Sequence, residues 1–244
     1  MTHEPAGLCL TGERTLPGIS HENYWFQRHL AAYRWVAGAL PLRGAVVVEA
    51  GCGEGYGGQL VADAGAAMVA GLDLDPHTLQ HVARTHRGVR AVRANLVALP
   101  FADGVADVVV SSQVVEHLWD QEAFVGECAR VLRPGGRLAV TTPNRRTFPP
   151  GNPFHSRELD AAELTHLVGG HLDVVRVLGL HHGARLAADD LRRGDLVAAQ
   201  VATEPDRRDD DLRARVAAVT AGDFEVTDQD LDGCLDLLLV AVCR

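Results

Sequence analysis

The sequence predicts an α/β protein built on a mostly parallel sheet, with a helical arm before it and a helical insertion ahead of the last strand. Three observations predict this. The β-branched run Val46-Val47-Val48 ends in Glu49 and breaks into glycines at 51, 53, 55 and 57, the pattern of a buried parallel strand opening through a tight loop into a helix. A second apolar run, Ala67 to Leu72, also ends in a carboxylate, Asp73. Further strand-like and helix-like segments alternate up to Asn144, and such alternation builds a parallel sheet with crossover helices.

Residues 1–40 read as an N-terminal arm or lid, and 41–244 as the main domain. Thr11-Gly12-Glu13-Arg14-Thr15-Leu16-Pro17-Gly18 is loop chemistry. A helix from about Glu22 to Leu40 follows, carrying Tyr24, Trp25, Phe26, Tyr33 and Trp35. Most of these rings are expected to pack on the sheet. His21, Glu22, Arg28, His29 and Arg34 add the polar groups that a sugar ring or an adenosyl moiety would need.

The glycine loop after the first strand lets backbone approach a ligand, and the helix after it offers free N–H groups. A dinucleotide fingerprint would need a third glycine where bulky Tyr56 stands. At the tip of the second strand, Asp73 can accept hydrogen bonds from both ribose hydroxyls of a nucleoside. Asp75 suits the next helix cap better, because Pro76 follows it at the first helical position. The third strand, 89–95, ends at Asn95, whose amide oxygen can accept from an adenine amino group. A fourth strand, from Asp107, leads into Gln113-Val114-Val115-Glu116-His117. A helix ending near Leu132, a Pro134-Gly135-Gly136 break and a fifth strand through Val140 close this half. Beyond it come a long loop to Glu158, a helix over 161–168 and a sixth strand over 171–180. His181-His182-Gly183 reads as a strand-end turn with solvated imidazoles. The insertion, about 184–232, holds helices at 191–201 and 210–219 around the charged stretch 204–211, and the last strand spans 235–242.

At 244 residues the chain can bury one full core. All 23 basic residues are arginine, which excludes a lysine base or Schiff base. A net charge of −9 without a basic run argues against nucleic acid as a partner. Five cysteines without C-x-x-C spacing, Cys9, Cys52, Cys128, Cys234 and Cys243, point to a reduced, cytoplasmic protein with neither a disulfide framework nor a zinc site. The longest apolar run, Leu237 to Cys243, is too short to span a bilayer, and no signal pattern opens the chain.

The E-x-G-x-G-x-G stretch from Glu49 to Gly55, the Asp73 strand tip, Asn95-Leu96 with Leu99-Pro100-Phe101, and the Asp107–Leu118 and Arg130–Val140 segments together resemble the class I S-adenosylmethionine (SAM) methyltransferases. That resemblance implies a Rossmann-like, seven-stranded, mostly parallel sheet with an antiparallel final strand, and SAM as cofactor. It implies cofactor contacts from Glu49, Gly51, Gly53, Gly55, Asp73, Leu74, Asn95, Leu96 and Gln113, with Tyr24, Arg28 or His29 closing over SAM. Asn95 departs from the aspartate common at this position, which weakens the expected adenine contact. The arm, Thr142-Pro143-Asn144-Arg145 and Asn152-Pro153-Phe154-His155-Ser156-Arg157-Glu158 resemble actinobacterial sugar O-methyltransferases of methylglucose lipopolysaccharide biosynthesis, which implies a carbohydrate acceptor.

An alcohol acceptor needs a general base, alone or with a metal. His155 and His117 are the candidates. Glu158 is expected to orient His155, bind a divalent cation or cap the helix after it, and Glu116 is a candidate for contacting the acceptor. Mg²⁺ and a homodimer stay open. The competing readings are a small-molecule O-methyltransferase acting on a quinone or polyketide phenol, and a SAM-binding regulatory protein without turnover.

Overall fold

A computed structural model describes Leu8 and residues 14–244. Cys9 and the arm-loop residues Thr11, Gly12 and Glu13 lie outside the described residues. The sheet contains β1 (Val46–Ala50), β2 (Met68–Asp73), β3 (Val89–Arg93), β4 (Ala106–Ser112), β5 (Leu132–Pro143), β6 (Asp173–His182), β7 (Phe224–Thr227) and β8 (Asp236–Val242). Their spatial order is β3-β2-β1-β4-β5-β8-β6-β7.

The first five strands run parallel. The last strand in the chain, β8, enters antiparallel between β5 and β6. The sheet therefore has eight strands rather than seven. The addition is β7, a four-residue edge strand paired antiparallel with β6, too short to stand out within the polar insertion. The Pro134-Gly135-Gly136 break lies inside β5 as an irregularity in its register with β4, with Gly135 at φ +78°.

The helices are α1 (Asn23–Ala39), α2 (Tyr56–Asp63), α3 (Pro76–Thr85), α4 (Gln121–Val131), α5 (Ala161–Gly169), α6 (Ala184–Arg193), α7 (Leu196–Ala202) and α8 (Asp210–Ala217). Asp75 caps α3 by accepting from the His77 N–H, with Pro76 next. A capping box of Asp160 and Glu163 starts α5, so the helix cap falls to Asp160 and not to Glu158. The single helix expected over 191–201 is two, because Gly194 takes φ +87° and Asp195 caps a new start.

One core cluster joins α4 and α5 to the sheet through Phe124, Leu164 and Leu138. A second joins the C-terminal half of α1 to α2, α3 and the opposite sheet face through Val36, Val61 and Val82. A third joins the N-terminal half of α1 to α6, α7 and α8 through Tyr24, Leu186 and Leu196. Helix α1 thus links the parallel half of the sheet to the insertion. Among the described residues no helix is long and apolar enough to cross a membrane.

Candidate active site

In an open parallel sheet the loops at the carboxyl ends of the strands form the ligand crevice. Here the loops after β1, β2, β3 and β4 border a cavity of about 410 Å³. Its backbone wall is the glycine turn. Gly51 has φ +85°, and a Cβ there would run into the Val114 side chain, so this position requires glycine twice over. The N–H groups of Gly51 and Cys52 both donate to Leu72 O, at 3.0 and 2.7 Å, tying the turn to β2. Gly53, at φ +50°, faces open space.

Asp73 is held from behind. Its Oδ2 accepts from the Gly53 N–H at 3.2 Å and its Oδ1 from the Asp75 N–H at 2.9 Å. A carboxylate has about four acceptor positions, so both oxygens keep acceptor capacity toward the cavity that Asp73 lines. Leu74, Leu96, Val114 and Leu118 give that cavity apolar walls, and Asn95 stands among them. The Asn95 Oδ1 already accepts from the Val97 N–H at 3.2 Å.

A second cavity, about 330 Å³, adjoins the first. Arg14, Gln113 and His117 line both. Gln113 adopts φ +56°, uncommon for a residue with a side chain, and its N–H and Nε2 both donate to Thr141. The second cavity also presents the rings of Trp25 and Phe148 with Asn152, Glu116 and His155.

The loop carrying His155 is stapled to the end of β4. Ser156 Oγ donates to Leu118 O at 2.7 Å, and Gln121 Nε2 donates to both Arg157 O and Val115 O at 2.9 Å. The staple brings the His155 ring edge-on to that of His117, with centroids 4.9 Å apart. His155 Nδ1 lies 2.7 Å from Glu158 Oε1, and its Nε2 lies 3.1 Å from Asn152 Nδ2. The amide can only donate, so Nε2 is the acceptor and Nδ1 carries the proton toward Glu158. In this tautomer Asn152, which lines the same cavity, occupies the lone pair of the basic nitrogen of a carboxylate–imidazole pair.

The Methyltransferase domain family matches residues 48–140. A Mycolicibacterium smegmatis protein named a probable S-adenosylmethionine-dependent methyltransferase is 50% identical, covering 98% of this chain and 96% of its own length. A Mycobacterium tuberculosis protein of the same name is 48% identical over 99% of this chain and 92% of its own. The chain belongs to the SAM-dependent methyltransferases. Solved structures agree in fold. A methyltransferase in complex with the Haloferax volcanii Trm112 methyltransferase activator aligns with TM-score 0.64 at 20% identity, over 92% of this chain and 94% of that one. Geranyl diphosphate methyltransferase in complex with SAM aligns at 0.61 and 18%, over 88% and 85%.

The methyltransferase cofactor fits the first cavity on its chemistry: a carboxylate at the β2 tip for a ribose, apolar walls for a flat base, and a glycine turn open at Gly53. Of the residues expected from the sequence, Gly51, Gly53, Asp73, Leu74, Asn95, Leu96 and Gln113 line this cavity. Glu49 and Gly55 line none of the cavities at the site. Glu49 is fully buried and accepts from Tyr33 OH at 2.9 Å, with Gly58 packed on its other oxygen. Burial raises its carboxyl to about 8. Gly55 serves packing, since a Cβ there would meet His86 and Val82.

Tyr24 and Arg28, expected near SAM, turn elsewhere. Tyr24 OH bonds His182 Nε2 at 2.7 Å, while Arg28 forms a buried pair with Asp236. His182 is part-buried, its Nδ1 2.8 Å from Asp190, and so is not the solvated imidazole expected of a strand-end turn. His29 lines the second cavity beside Thr15 and Tyr56, and burial lowers its imidazole to about 4.

Sequence reasoning missed Arg14 and Asn152. Arg14 was placed in loop chemistry, and nothing local marks it as reaching Asp75 and Thr78 across the site. Asn152 lay in view within the His155 loop but carried no periodic signal.

Glu116, 1% exposed, accepts from Thr142 Oγ1 at 2.9 Å through one oxygen, and its other oxygen has no hydrogen-bond partner. Burial raises this carboxyl to about 8. Glu116, His117 and His155 bring ligand atoms within 4.8 Å of one another. Two imidazoles and one carboxylate do not suit Mg²⁺, which takes oxygen ligands. Among the described residues no converging group of three such ligands carries more than one carboxylate.

Proposed function

We propose that this methyltransferase transfers the SAM methyl group to a hydroxyl of a hexose within an oligo- or polysaccharide. The observation carrying this reading is the His155–Glu158 pair at 2.7 Å, set in a cavity with Trp25 and Phe148 on its walls. Apolar ring faces beside convergent polar groups suit a pyranose, and an aliphatic hydroxyl needs a base where a more acidic phenol does not.

Asp73, Asn95, Leu96 and the Gly51–Gly53 turn would hold the cofactor, with Glu49 supporting the turn from below through Tyr33 and Gly58. Bound SAM supplies an electrophilic methyl carbon on a cationic sulfur. His155 Nε2 takes the proton from the acceptor hydroxyl once that hydroxyl has displaced the Asn152 amide from its lone pair, and Glu158 holds the imidazole in the required tautomer and stabilises its cationic form. Gln113, at the boundary of both cavities, orients the acceptor against the cofactor. The protonated Glu116 keeps negative charge away from the acceptor floor. A cytoplasmic setting suits the unpaired cysteines Cys52, Cys128, Cys234 and Cys243.

The test is methyl-labelled SAM offered with a panel of glucose- and mannose-containing oligosaccharides and phenolic controls, read by mass spectrometry. Label is expected on a sugar hydroxyl and lost in His155→Ala. Label on phenols alone, insensitive to His155→Ala, would refute the sugar reading in favour of a phenolic acceptor. Calorimetry with Asp73→Ala tests the cofactor cavity separately and is expected to show a large loss of SAM affinity.

A further inference from the structure

Glu54 sits in the glycine turn between Gly53 and Gly55, while His81 lies on α3 and His86 just past its end. Neither histidine lines a cavity of the active site. We propose that Glu54, His81 and His86 form a site for one first-row divalent transition-metal ion, zinc being the natural occupant, that clamps the glycine turn to α3.

The three side chains converge. His81 Nε2 lies 2.7 Å from Glu54 Oε1, and His86 Nε2 lies 3.1 Å from Glu54 Oε2. One ligand atom from each residue falls within 4.8 Å of the others. Tetrahedral zinc, with bonds of about 2.0–2.2 Å to nitrogen and oxygen, separates its ligand atoms by roughly 3.3 Å. Admitting the ion therefore widens the 2.7 Å contact by about 0.6 Å and draws the ligand atoms, now within 4.8 Å of one another, to that common spacing.

The donors are held by packing. The Glu54 side chain is 6% exposed, and those of His81 and His86 are 18% and 13%. Gly55 makes room for His86, because a Cβ there would come 2.7 Å from its Cδ2. Two imidazoles and one carboxylate suit zinc and its neighbours rather than Mg²⁺ or Ca²⁺. The partial exposure of both rings leaves water a route to the fourth position. Without the ion both Nε2 atoms donate to Glu54. Binding requires each Nε2 to present its lone pair, so its proton moves to Nδ1 or leaves to solvent. The absence of C-x-x-C spacing, which argued against a zinc site, does not bear on a cluster that uses no cysteine.

The test is zinc titration of chelator-stripped, full-length protein in competition with a chromophoric chelator, paired with thermal melts. At least one zinc per chain is expected, with a melting temperature that rises with zinc. His81→Ala and His86→Ala should each weaken binding by roughly 100-fold, and Glu54→Gln should act likewise while keeping the packing if a histidine variant fails to fold. The double variant H117A/H155A, which disables the other cluster of two imidazoles and a carboxylate, should retain one zinc per chain. No zinc bound by wild type, binding undiminished in H81A, H86A and E54Q, or binding lost in H117A/H155A would each overturn the proposal.

Discussion

Replacing Glu116 with glutamine should stabilise the protein in a strongly pH-dependent way. The Glu116 carboxyl is raised from its ordinary 4.5 to about 8, chiefly by burial. The folded state therefore holds a proton that the unfolded chain releases above pH 4.5. A group whose folded value is raised contributes stability that is intact below the unfolded value and is lost as pH climbs toward the folded one.

With those two values, the stability lost to Glu116 ionisation grows by about 3.5 kcal/mol between pH 5 and pH 8. Glutamine reproduces the neutral carboxyl's shape and cannot ionise, so the variant escapes this loss. For a chain of this size the gap corresponds to roughly 7–14 °C in melting temperature. His29, lowered to about 4 mainly by burial, adds stability as pH rises from about 4 to 6.5. That contribution is common to both proteins and cancels in the comparison. The assay is urea unfolding of wild type and Glu116→Gln at pH 5 and pH 8. A stability difference that stays constant across the two pH values would refute the reasoning, because Glu116 would then be ionised in the folded protein throughout.

Three other outcomes follow from the geometry. Gly51→Ala should cost about 2–4 kcal/mol and weaken SAM binding, from left-handed strain plus overlap with Val114; Gly51→Ala/Val114→Ala should recover only the overlap, as read by thermal unfolding and calorimetry. Glu158→Gln should lower kcat by roughly 10- to 100-fold with little change in KM, less than His155→Ala, since the pair orients the base without contacting the acceptor; steady-state kinetics on an identified sugar acceptor checks this. Arg28→Met should destabilise by about 3–5 kcal/mol by stranding the buried Asp236 carboxylate, and Arg28→Met/Asp236→Leu should regain most of it, measured by denaturant unfolding.

Much of the fold was legible because the parallel strands are buried on both faces and read as near-continuous apolar runs. Val46–Ala50 and Met68–Asp73 show this directly, and the antiparallel Asp236–Val242 reads the same way because it is buried between β5 and β6. The Asp75 cap was legible because Pro76 fixes the first helical position. The break between α6 and α7 was not, since the left-handed turn at Gly194 interrupts an otherwise helical pattern. The short strand β7 was invisible for want of periodicity.

At the site, Asp73, Gly51 and Gly53 could be placed from spacing alone. The inward turn of Glu49 could not. Its register in β1 leaves open whether a carboxylate at a strand end faces ligand or core, and here Tyr33 and Gly58 close over it. The pairing of Tyr24 with His182 and of Arg28 with Asp236 joins residues 158 and 208 positions apart, beyond any local pattern.

The seven-residue antiparallel register between Arg137–Pro143 and Asp236–Val242 has a consequence for how this enzyme could be shortened. The stretch that matches the family, 48–140, does not contain its own border. Cut out alone, it would expose a row of bare amide and carbonyl groups along an apolar strand, and two such fragments would pair edge to edge and precipitate. The C-terminal strand is the seam that closes the parallel half of the sheet, so any shortened form of the enzyme has to keep it.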